Sequence, residues 1–222
     1  MLKVYNRLLS HYGPQGWWPI HNHKGSNPTK TGSSKGYHPK DYSFPRNKKE
    51  QFEICMGAIL TQNTSWPNVE KAIINLHKIK CTTPKAIIDV DDKTLKEAIR
   101  PAGYFNQKSA YLKAFADFFI KNKNPTREEL LKVKGVGPET ADSILLYAFN
   151  RPEFVVDAYT KRIFSYHNCF NIDDSYDTIK SFFESSLPRD QKIFQEFHAL
   201  IVEHAKNHFK KQPYEDPIIG KI

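Results

Sequence analysis

The stretch LKVKGVGPETADSILLYAFNRPEFVVDAYTKR, residues 131–162, decides the fold that the sequence predicts. It indicates the end of one helix, a tight Gly-Val-Gly turn, a second helix, a loop, and an aspartate that opens a third helix. Gly135 and Gly137 tolerate positive φ, which predicts a turn too sharp for residues with a Cβ. Pro138 suits the first turn of the following helix, where a missing N–H costs nothing. We therefore expect a helical hairpin.

This hairpin predicts an anion site. The turn leaves backbone amides without partners at a helix N-terminus, and such amides bind anions. Lys132 and Lys134 flank the turn, so a phosphate is the expected occupant. The alternative interpretation is an ordinary helical hairpin with a glycine cap, because short glycine motifs are common.

The composition indicates a folded protein with a polyanionic partner. Of 222 residues, 33 are Lys or Arg and 24 are Asp or Glu, giving a net charge of +9. Nucleic acid is the commonest partner of a basic chain. The aromatic content of 13% argues against a basic disordered tail. No apolar run approaches the length of a membrane span, so no membrane partner is expected.

The cysteines predict a reducing compartment. Cys55, Cys81 and Cys169 lie far apart, and no pair has the spacing of metal ligands. Their odd number suggests reduced thiols in a cytoplasmic protein, associated with the nucleoid if the source is prokaryotic. The N-terminus lacks the long apolar core of a signal peptide.

Helical periodicity runs through most of the chain and predicts an all-α protein. Apolar spacing and capping residues predict helices at 2–12, 48–60, 68–77, one or two within 84–99, and further helices at 109–120, 127–133, 176–187 and 191–210. Thr126 and Glu129 form a capping-box pattern. Residues 21–50 lack this periodicity and predict a polar, flexible loop.

Two further segments carry candidate site residues. Trp17 and Trp18 precede Pro19, which biases Trp18 towards an extended conformation. The tryptophan pair either fills the core or stacks on a planar base. Gln62 and Asn63 lie in a polar stretch after a predicted helix, where loop polarity alone would explain them.

Together these motifs resemble the endonuclease III superfamily of DNA glycosylases. GVGPETA resembles its helix-hairpin-helix, VVDAYTKR its Gly/Pro-Asp segment, and FEICMGAILTQNT the segment whose glutamine enters DNA where the target base was. The resemblance runs from Gly13 to about Lys211, interrupted by the polar loop. With WWP added, the chain is most similar to the branch without an iron–sulfur cluster that includes 3-methyladenine DNA glycosylases.

The resemblance implies an all-α fold of two helical lobes with a central cleft. Residues 51–150 would form a central bundle that ends in the hairpin at about 127–149. Residues 1–20 and 151–222 would form a terminal lobe, and the site would lie between the lobes. The implied partner is double-stranded DNA with a damaged base, bound by a monomer.

The resemblance also implies roles for individual residues. Asp157 would be the catalytic carboxylate, because a carboxylate beside C1′ stabilises the positive charge that develops on the sugar; its alternative role is a helix N-cap. The implied base pocket comprises Trp17, Trp18, Trp66 and Glu139. The implied DNA-binding set comprises Gln62, Asn63, Lys132, Lys134, Gly135, Val136, Gly137, Thr140 and Lys161.

Glu139 predicts the reaction subtype. Lyase members of the superfamily carry a lysine at this position, which forms a Schiff base that a carboxylate cannot form. We therefore expect a monofunctional glycosylase that removes an alkylated purine, such as 3-methyladenine, and leaves an abasic site. The alternatives are a glycosylase with lyase activity for oxidised or deaminated bases, and a non-catalytic helix-hairpin-helix DNA-binding protein.

The tail HAKNHFKKQPYEDPI resembles the iron–sulfur loop of the superfamily without its four cysteines. We therefore expect no cofactor and no iron–sulfur cluster, although a monovalent cation could bind at the hairpin. No metal site is expected elsewhere. His198 and His204 are interpreted as packing or surface residues, because no carboxylate or cysteine has suitable spacing.

Overall fold

A computed structural model describes residues 1–25, 27–28 and 35–222. The helices in these ranges are α1 (Leu2–Tyr12), α2 (Lys48–Leu60), α3 (Trp66–Lys78), α4 (Pro84–Asp89), α5 (Asp92–Ile99), α6 (Phe105–Lys121), α7 (Arg127–Leu131), α8 (Pro138–Ser143), α9 (Ala158–Tyr166), α10 (Tyr176–Ser186) and α11 (Gln191–His208). A 3₁₀ turn, Arg100–Ala102, follows α5, and a π-helical turn, Ile144–Ala148, continues α8. These ranges contain no β-strand, which confirms the all-α prediction.

Helix boundaries follow local capping chemistry. Asn47 accepts hydrogen bonds from two amides in the first turn of α2, which begins at Lys48 as predicted. Thr126 and Glu129 form both hydrogen bonds of the predicted capping box. α3 begins two residues before its predicted start, because Ser65 is its N-cap and Pro67 lies within its first turn.

Two helices form the centre of the molecule. All ten residues from 51 to 60 in α2 are buried, because α2 packs against α3, α6, α8 and the π-helical turn. Residues 194–205 of α11 are likewise buried, with α1 and α9 packed against them. A helix that is surrounded by others shows no single apolar stripe. No helix in the described part of the chain is long and apolar enough to cross a membrane.

Part of the segment predicted to be a polar loop contributes to the core. Tyr37, His38 and Phe44 are buried. The His38 ring stacks on Phe44 at a centroid distance of 4.2 Å, and its Nε2 lies 2.8 Å from the carbonyl oxygen of Trp18. The sequence did not predict this burial, because it depends on separate aromatic side chains rather than on a periodic face. Residues 26 and 29–34 of this predicted loop lie outside the described residues.

The hairpin between α7 and α8 needs one of its two glycines for its shape. Gly135 has a φ of 85°, and a Cβ there would lie 2.2 Å from the Tyr111 ring. Gly137 has φ −92° and ψ 178°, an extended conformation that any residue adopts, and a Cβ there would meet no atom within 4 Å. The prediction that the turn requires both glycines is therefore correct for Gly135 and wrong for Gly137.

Candidate active site

A cavity of about 240 Å³ opens where the loop after α2, the hairpin, the start of α9 and the face of α11 meet. Of the predicted site residues, it brings together Trp17, Trp18, Gln62, Trp66, Glu139, Thr140 and Asp157. Seven other predicted residues do not line it: Asn63, Lys132, Lys134, Gly135, Val136, Gly137 and Lys161. The predicted base pocket and carboxylate therefore share one cavity, and most of the predicted DNA-binding set lies outside it.

Asp157 is the N-cap of α9 and also lines the cavity. Its Oδ1 accepts hydrogen bonds from the amide and the hydroxyl of Thr160, at 2.7 and 2.8 Å. Its Oδ2 lies 3.6 Å from Nε2 of His198, and 13% of its side chain is exposed. Oδ1 therefore caps α9, whereas Oδ2 makes no capping contact and faces the cavity.

The surroundings of Asp157 favour its ionised form. Burial raises the pKa of this carboxyl, but the interactions with His198 and Thr160 outweigh burial and leave the pKa below its usual value. The other ring nitrogen of His198, Nδ1, lies 2.7 Å from the Tyr147 hydroxyl, which donates to the carbonyl oxygen of Gln195. This contact orients the imidazole so that Nε2 faces Asp157.

His198 is the residue whose position sequence reasoning missed. The sequence predicts a packing or surface residue at this position, but His198 lies beside Asp157 in the cavity. The available signal was its spacing: His198, Val202 and Lys206 are four residues apart, so they share one face of α11. All three line the cavity.

Three tryptophans form an aromatic wall. Trp18 is buried and makes edge-to-face contacts with Trp66 and Tyr147 at centroid distances of 5.3 and 5.2 Å. Gly57 in α2 makes room for it, since a Cβ there would lie 2.9 Å from Nε1 of Trp18. Trp17 is half-buried and remains accessible to the cavity.

Glu139 lies at the mouth of the cavity with much of its side chain exposed. The cavity wall withdraws water from one side of its carboxylate. This desolvation, together with repulsion from Asp157, raises the pKa of Glu139 to about 7. The two carboxyl groups therefore differ, with Asp157 the more readily ionised.

Gln62 joins the loop after α2 to the hairpin. Its side-chain amide donates to the carbonyl oxygen of Gly135 at 2.8 Å and to the Thr140 hydroxyl at 3.0 Å. Lys108, which is 2% exposed, holds the start of the same loop in place. Its Nζ donates to the carbonyl oxygens of Leu60 and Ala102, both at 2.8 Å.

The remaining predicted DNA-binding residues lie near the hairpin or on its flanks. Lys132 and Lys134 are exposed, whereas Val136 is 7% exposed and packs inward. Asn63 is exposed, with a φ of 51°. Lys161 donates to the carbonyl oxygen of Asp174 at 2.9 Å, so its ammonium is already engaged.

The tail does not fit an iron–sulfur cluster. Residues 205–222 contain no cysteine. In that region Asp216 Oδ2 lies 2.7 Å from Nε2 of His167 and 3.1 Å from Nε2 of His204, so His204 faces the tail rather than the cavity. The described residues hold no group of three or more His, Cys, Asp or Glu side chains that could bind a metal ion.

Residues 56–189 match the family described as HhH-GPD superfamily base excision DNA repair protein. The chain belongs to this family. It is 43% identical to a candidate DNA repair glycosylase of Methanocaldococcus jannaschii over 95% of this chain and 89% of that protein. The predicted resemblance to endonuclease III-like glycosylases is therefore confirmed, and the chain is a DNA N-glycosylase of base-excision repair.

Solved structures agree with this fold. The H. pylori 3-methyladenine DNA glycosylase, in a structure bound to 1,N6-ethenoadenine, is 28% identical, with a TM-score of 0.70 over 93% of this chain and 95% of that one. An endonuclease III in a non-covalent DNA complex is 20% identical, with a TM-score of 0.73 over 95% of this chain and 86% of that one. At 20% identity, the similarity to endonuclease III shows a shared fold and no more.

Proposed function

We propose that this glycosylase flips an alkylated purine, such as 3-methyladenine, out of double-stranded DNA and hydrolyses its N-glycosidic bond. The observation that carries the proposal is an aromatic cavity beside a carboxylate held in its ionised form. Tryptophan rings bind flat bases by stacking, which contributes about 1–3 kcal/mol per base. The similarity to the H. pylori 3-methyladenine DNA glycosylase, solved with bound 1,N6-ethenoadenine, supports the same substrate class.

In the proposed reaction, Asp157 acts on the sugar. A base within a duplex cannot reach the cavity, so the nucleotide must first leave the stack. As the glycosidic bond breaks, positive charge develops at C1′, and the free Oδ2 of Asp157 stabilises it or activates water. His198 keeps the carboxylate ionised and oriented, so we regard it as a positioning residue.

The hairpin would bind a phosphate of the DNA backbone. Among the described residues, the amides of Gly137 and Glu139 donate no hydrogen bond, and the space beside Gly137 is open. A phosphate could therefore approach the backbone closely. Lys132 and Lys134 are exposed next to the turn and add positive charge that would attract the phosphate. A monovalent cation bound at the turn would also attract the phosphate. Binding would weaken with added salt as counterion release becomes less favourable.

Gln62 would fill the gap that the flipped nucleotide leaves. Its contacts with Gly135 and Thr140 hold it against the hairpin. Because Gln62 is hydrogen-bonded to the hairpin, binding of a DNA phosphate by the hairpin would also position Gln62 beside the gap in the duplex. Asn63, exposed on the same loop, would contact the neighbouring nucleotides.

We propose further that the enzyme is monofunctional, acts as a monomer and uses no cofactor. Glu139 stands where lyase relatives carry the amine that forms a Schiff base, and a carboxylate cannot form one. The absence of cysteines from the tail supports an enzyme without an iron–sulfur cluster.

Substitution of Asp157 tests the catalytic proposal. The side chain introduced by Asp157→Asn could still cap α9, since asparagine is a good N-cap residue, but it carries no charge. We expect base release to fall by about 10²–10³-fold while DNA affinity is kept. Asp91→Asn, at the exposed N-cap of α5, is the matched control and should keep full activity. Base release at the parental rate by Asp157→Asn would show that another group is catalytic.

Borohydride reduction tests the monofunctional proposal. Reduction traps an enzyme–DNA imine if one forms, and we expect no substantial adduct on DNA that carries a damaged base. Lys206 is an amine that lines the cavity, so a strong adduct that Lys206→Met removes would favour the alternative function, a glycosylase with lyase activity.

A further inference from the structure

The cavity holds two carboxyl groups that differ in how readily they ionise. The contacts of Asp157 with His198 and Thr160 outweigh burial and favour its charged form. Burial against the cavity wall, followed by repulsion from Asp157, raises the pKa of Glu139 to about 7. Carboxyl pairs with divergent pKa values are a common acid and base arrangement in enzymes, in which one group stabilises charge and the other transfers a proton. The proposed reaction uses Asp157 and gives Glu139 no chemical step.

Glu139 lies where the base and sugar of a flipped nucleotide would meet. It belongs to the first turn of α8 and lines the mouth of the cavity, whereas Trp17, Trp18 and Trp66 form the aromatic wall. With a base stacked on these rings and C1′ beside Asp157, the edge of the base that carries the glycosidic bond would face the mouth. A carboxyl group at the mouth can therefore serve as a hydrogen-bond donor to a ring nitrogen when it is protonated.

Ionisable side chains from several elements face Glu139, and the negative charge of Asp157 opposes its ionisation. After burial, repulsion from Asp157 raises the pKa of Glu139, and attraction to His198 lowers it. The surrounding ionisable side chains are Tyr37 before α2, Asp157 and Tyr159 at the start of α9, Tyr176 of α10, and His198 and Lys206 of α11.

Damaged purines differ in whether they need a proton in order to leave. 3-Methyladenine is cationic in DNA, so cleavage of its glycosidic bond releases a neutral base directly. 1,N6-Ethenoadenine is neutral, so the same cleavage without a proton would release an anion. A general acid placed at the leaving base removes this difficulty and typically accelerates such a step by about 10²–10⁴-fold.

We propose that Glu139 is a second catalytic residue, which donates a proton to neutral purine leaving bases and so extends excision to them. The bond between C1′ and N9 breaks and its electron pair passes to the base, while the Glu139 proton moves to a ring nitrogen. Water adds to C1′ and releases a proton to solvent, from which Glu139 is protonated again. A cationic base needs no proton, and ionised Glu139 attracts it. This inference rests on the proposed function, because it concerns the leaving bases of the same cavity.

The test is the pH dependence of two excision rates. Single-turnover release of 1,N6-ethenoadenine and of 3-methyladenine is measured from pH 6 to pH 8, with enzyme-free loss of each base subtracted, and the neutral-to-cationic ratio is the readout. Asp157 acts on the sugar of both substrates, so its titration cancels in the ratio. The protonated fraction of Glu139 falls as the pH rises through about 7, so the ratio should fall about tenfold over this range.

Glu139→Gln keeps the size of the side chain but cannot donate this proton. We expect the ratio at pH 6 to fall by at least about tenfold and to lose its pH dependence. Release of 3-methyladenine by the same sample reports that the variant is folded. Glu128→Gln is the matched control, because it removes a carboxylate from an exposed position in the first turn of α7, outside the cavity. It should keep the parental ratio at every pH.

The outcomes separate this inference from the proposed function. A parent enzyme that releases neither base would overturn the proposed function, and the role of Glu139 with it. Release of 3-methyladenine with no 1,N6-ethenoadenine at pH 6, a ratio that is constant with pH, or the same fall in Glu139→Gln would overturn the role of Glu139 alone. A fall with pH that Glu139→Gln abolishes and Glu128→Gln keeps supports proton donation by Glu139.

Discussion

Nε2 of His198 lies 3.6 Å from Oδ2 of Asp157, the carboxylate oxygen that the cap of α9 leaves free. Two elements distant in sequence therefore meet at one carboxylate. α9 fixes the position of Asp157, and α11 supplies the imidazole that favours its charge. Since the Tyr147 hydroxyl holds the other ring nitrogen, His198 has a defined orientation.

His198→Gln should change the pH dependence of catalysis. His198 lowers the pKa of Asp157, and only the ionised carboxylate stabilises positive charge, so the parent keeps activity at acid pH. Without His198, burial raises this pKa, and the acid limb of the single-turnover rate profile should move up by about one pH unit, the size of shift that the loss of one nearby favourable partner produces.

His204→Gln is the control for this profile. His204 lies on the same helix but faces Asp216 in the tail. Its loss should lower stability without moving the acid limb. An acid limb that stays at the parental pH in His198→Gln would show that this histidine only packs against Asp157.

Alanine substitutions at the two hairpin glycines should have different effects, one on protein stability and the other on DNA binding. Gly135→Ala forces a Cβ into the Tyr111 ring at a positive φ, and should lower the free energy of unfolding by about 1–3 kcal/mol. Gly137→Ala meets open space and should cost less than about 1 kcal/mol. Its methyl group would, however, obstruct an approaching phosphate, so DNA affinity should fall.

Urea unfolding and equilibrium binding to a duplex measure these two effects. We expect Gly135→Ala to shift the unfolding midpoint and Gly137→Ala to shift mainly the dissociation constant. Unchanged affinity in Gly137→Ala would indicate that DNA does not approach the hairpin at this point.

Features with local causes were predictable from the sequence. The capping box of α7, the cap of α9 at Asp157 and the sharp turn at Gly135 depend on residues within a few positions of one another. The aromatic cavity was predictable only through the resemblance to a family, because Trp17 and Trp66 are distant in sequence.

Features that depend on distant packing were missed. His198 and Lys206 line the cavity because α11 packs against α9. Their four-residue spacing places them on one face of α11, but it does not show that this face lines the cavity. Burial of Tyr37 and Phe44 was missed for the same reason, since each packs as a single side chain. The error at Gly137 is different: a short glycine motif does not reveal which glycine has a positive φ.

Gln62→Ala should impair base flipping more than chemistry. Its side chain bridges Gly135 and Thr140, and without it nothing fills the gap in the duplex. We expect excision from a paired site to fall about tenfold or more. The loss should be smaller when the damaged base is mispaired, because unpairing then costs less. Equal losses on paired and mispaired duplexes, measured as single-turnover rates, would argue against gap filling.

Glu139→Lys should create the amine that the parent lacks at this position. Glu139 lines the cavity mouth close enough to Asp157 for each charge to affect the other, so a lysine there should reach the same sugar. We expect borohydride to trap at least about ten times more enzyme on damaged DNA than in the parent. Glu128→Lys makes the same substitution at an exposed site outside the cavity and should add no adduct. If both variants trap alike, position 139 does not reach C1′, and monofunctional cleavage could no longer be inferred from Glu139.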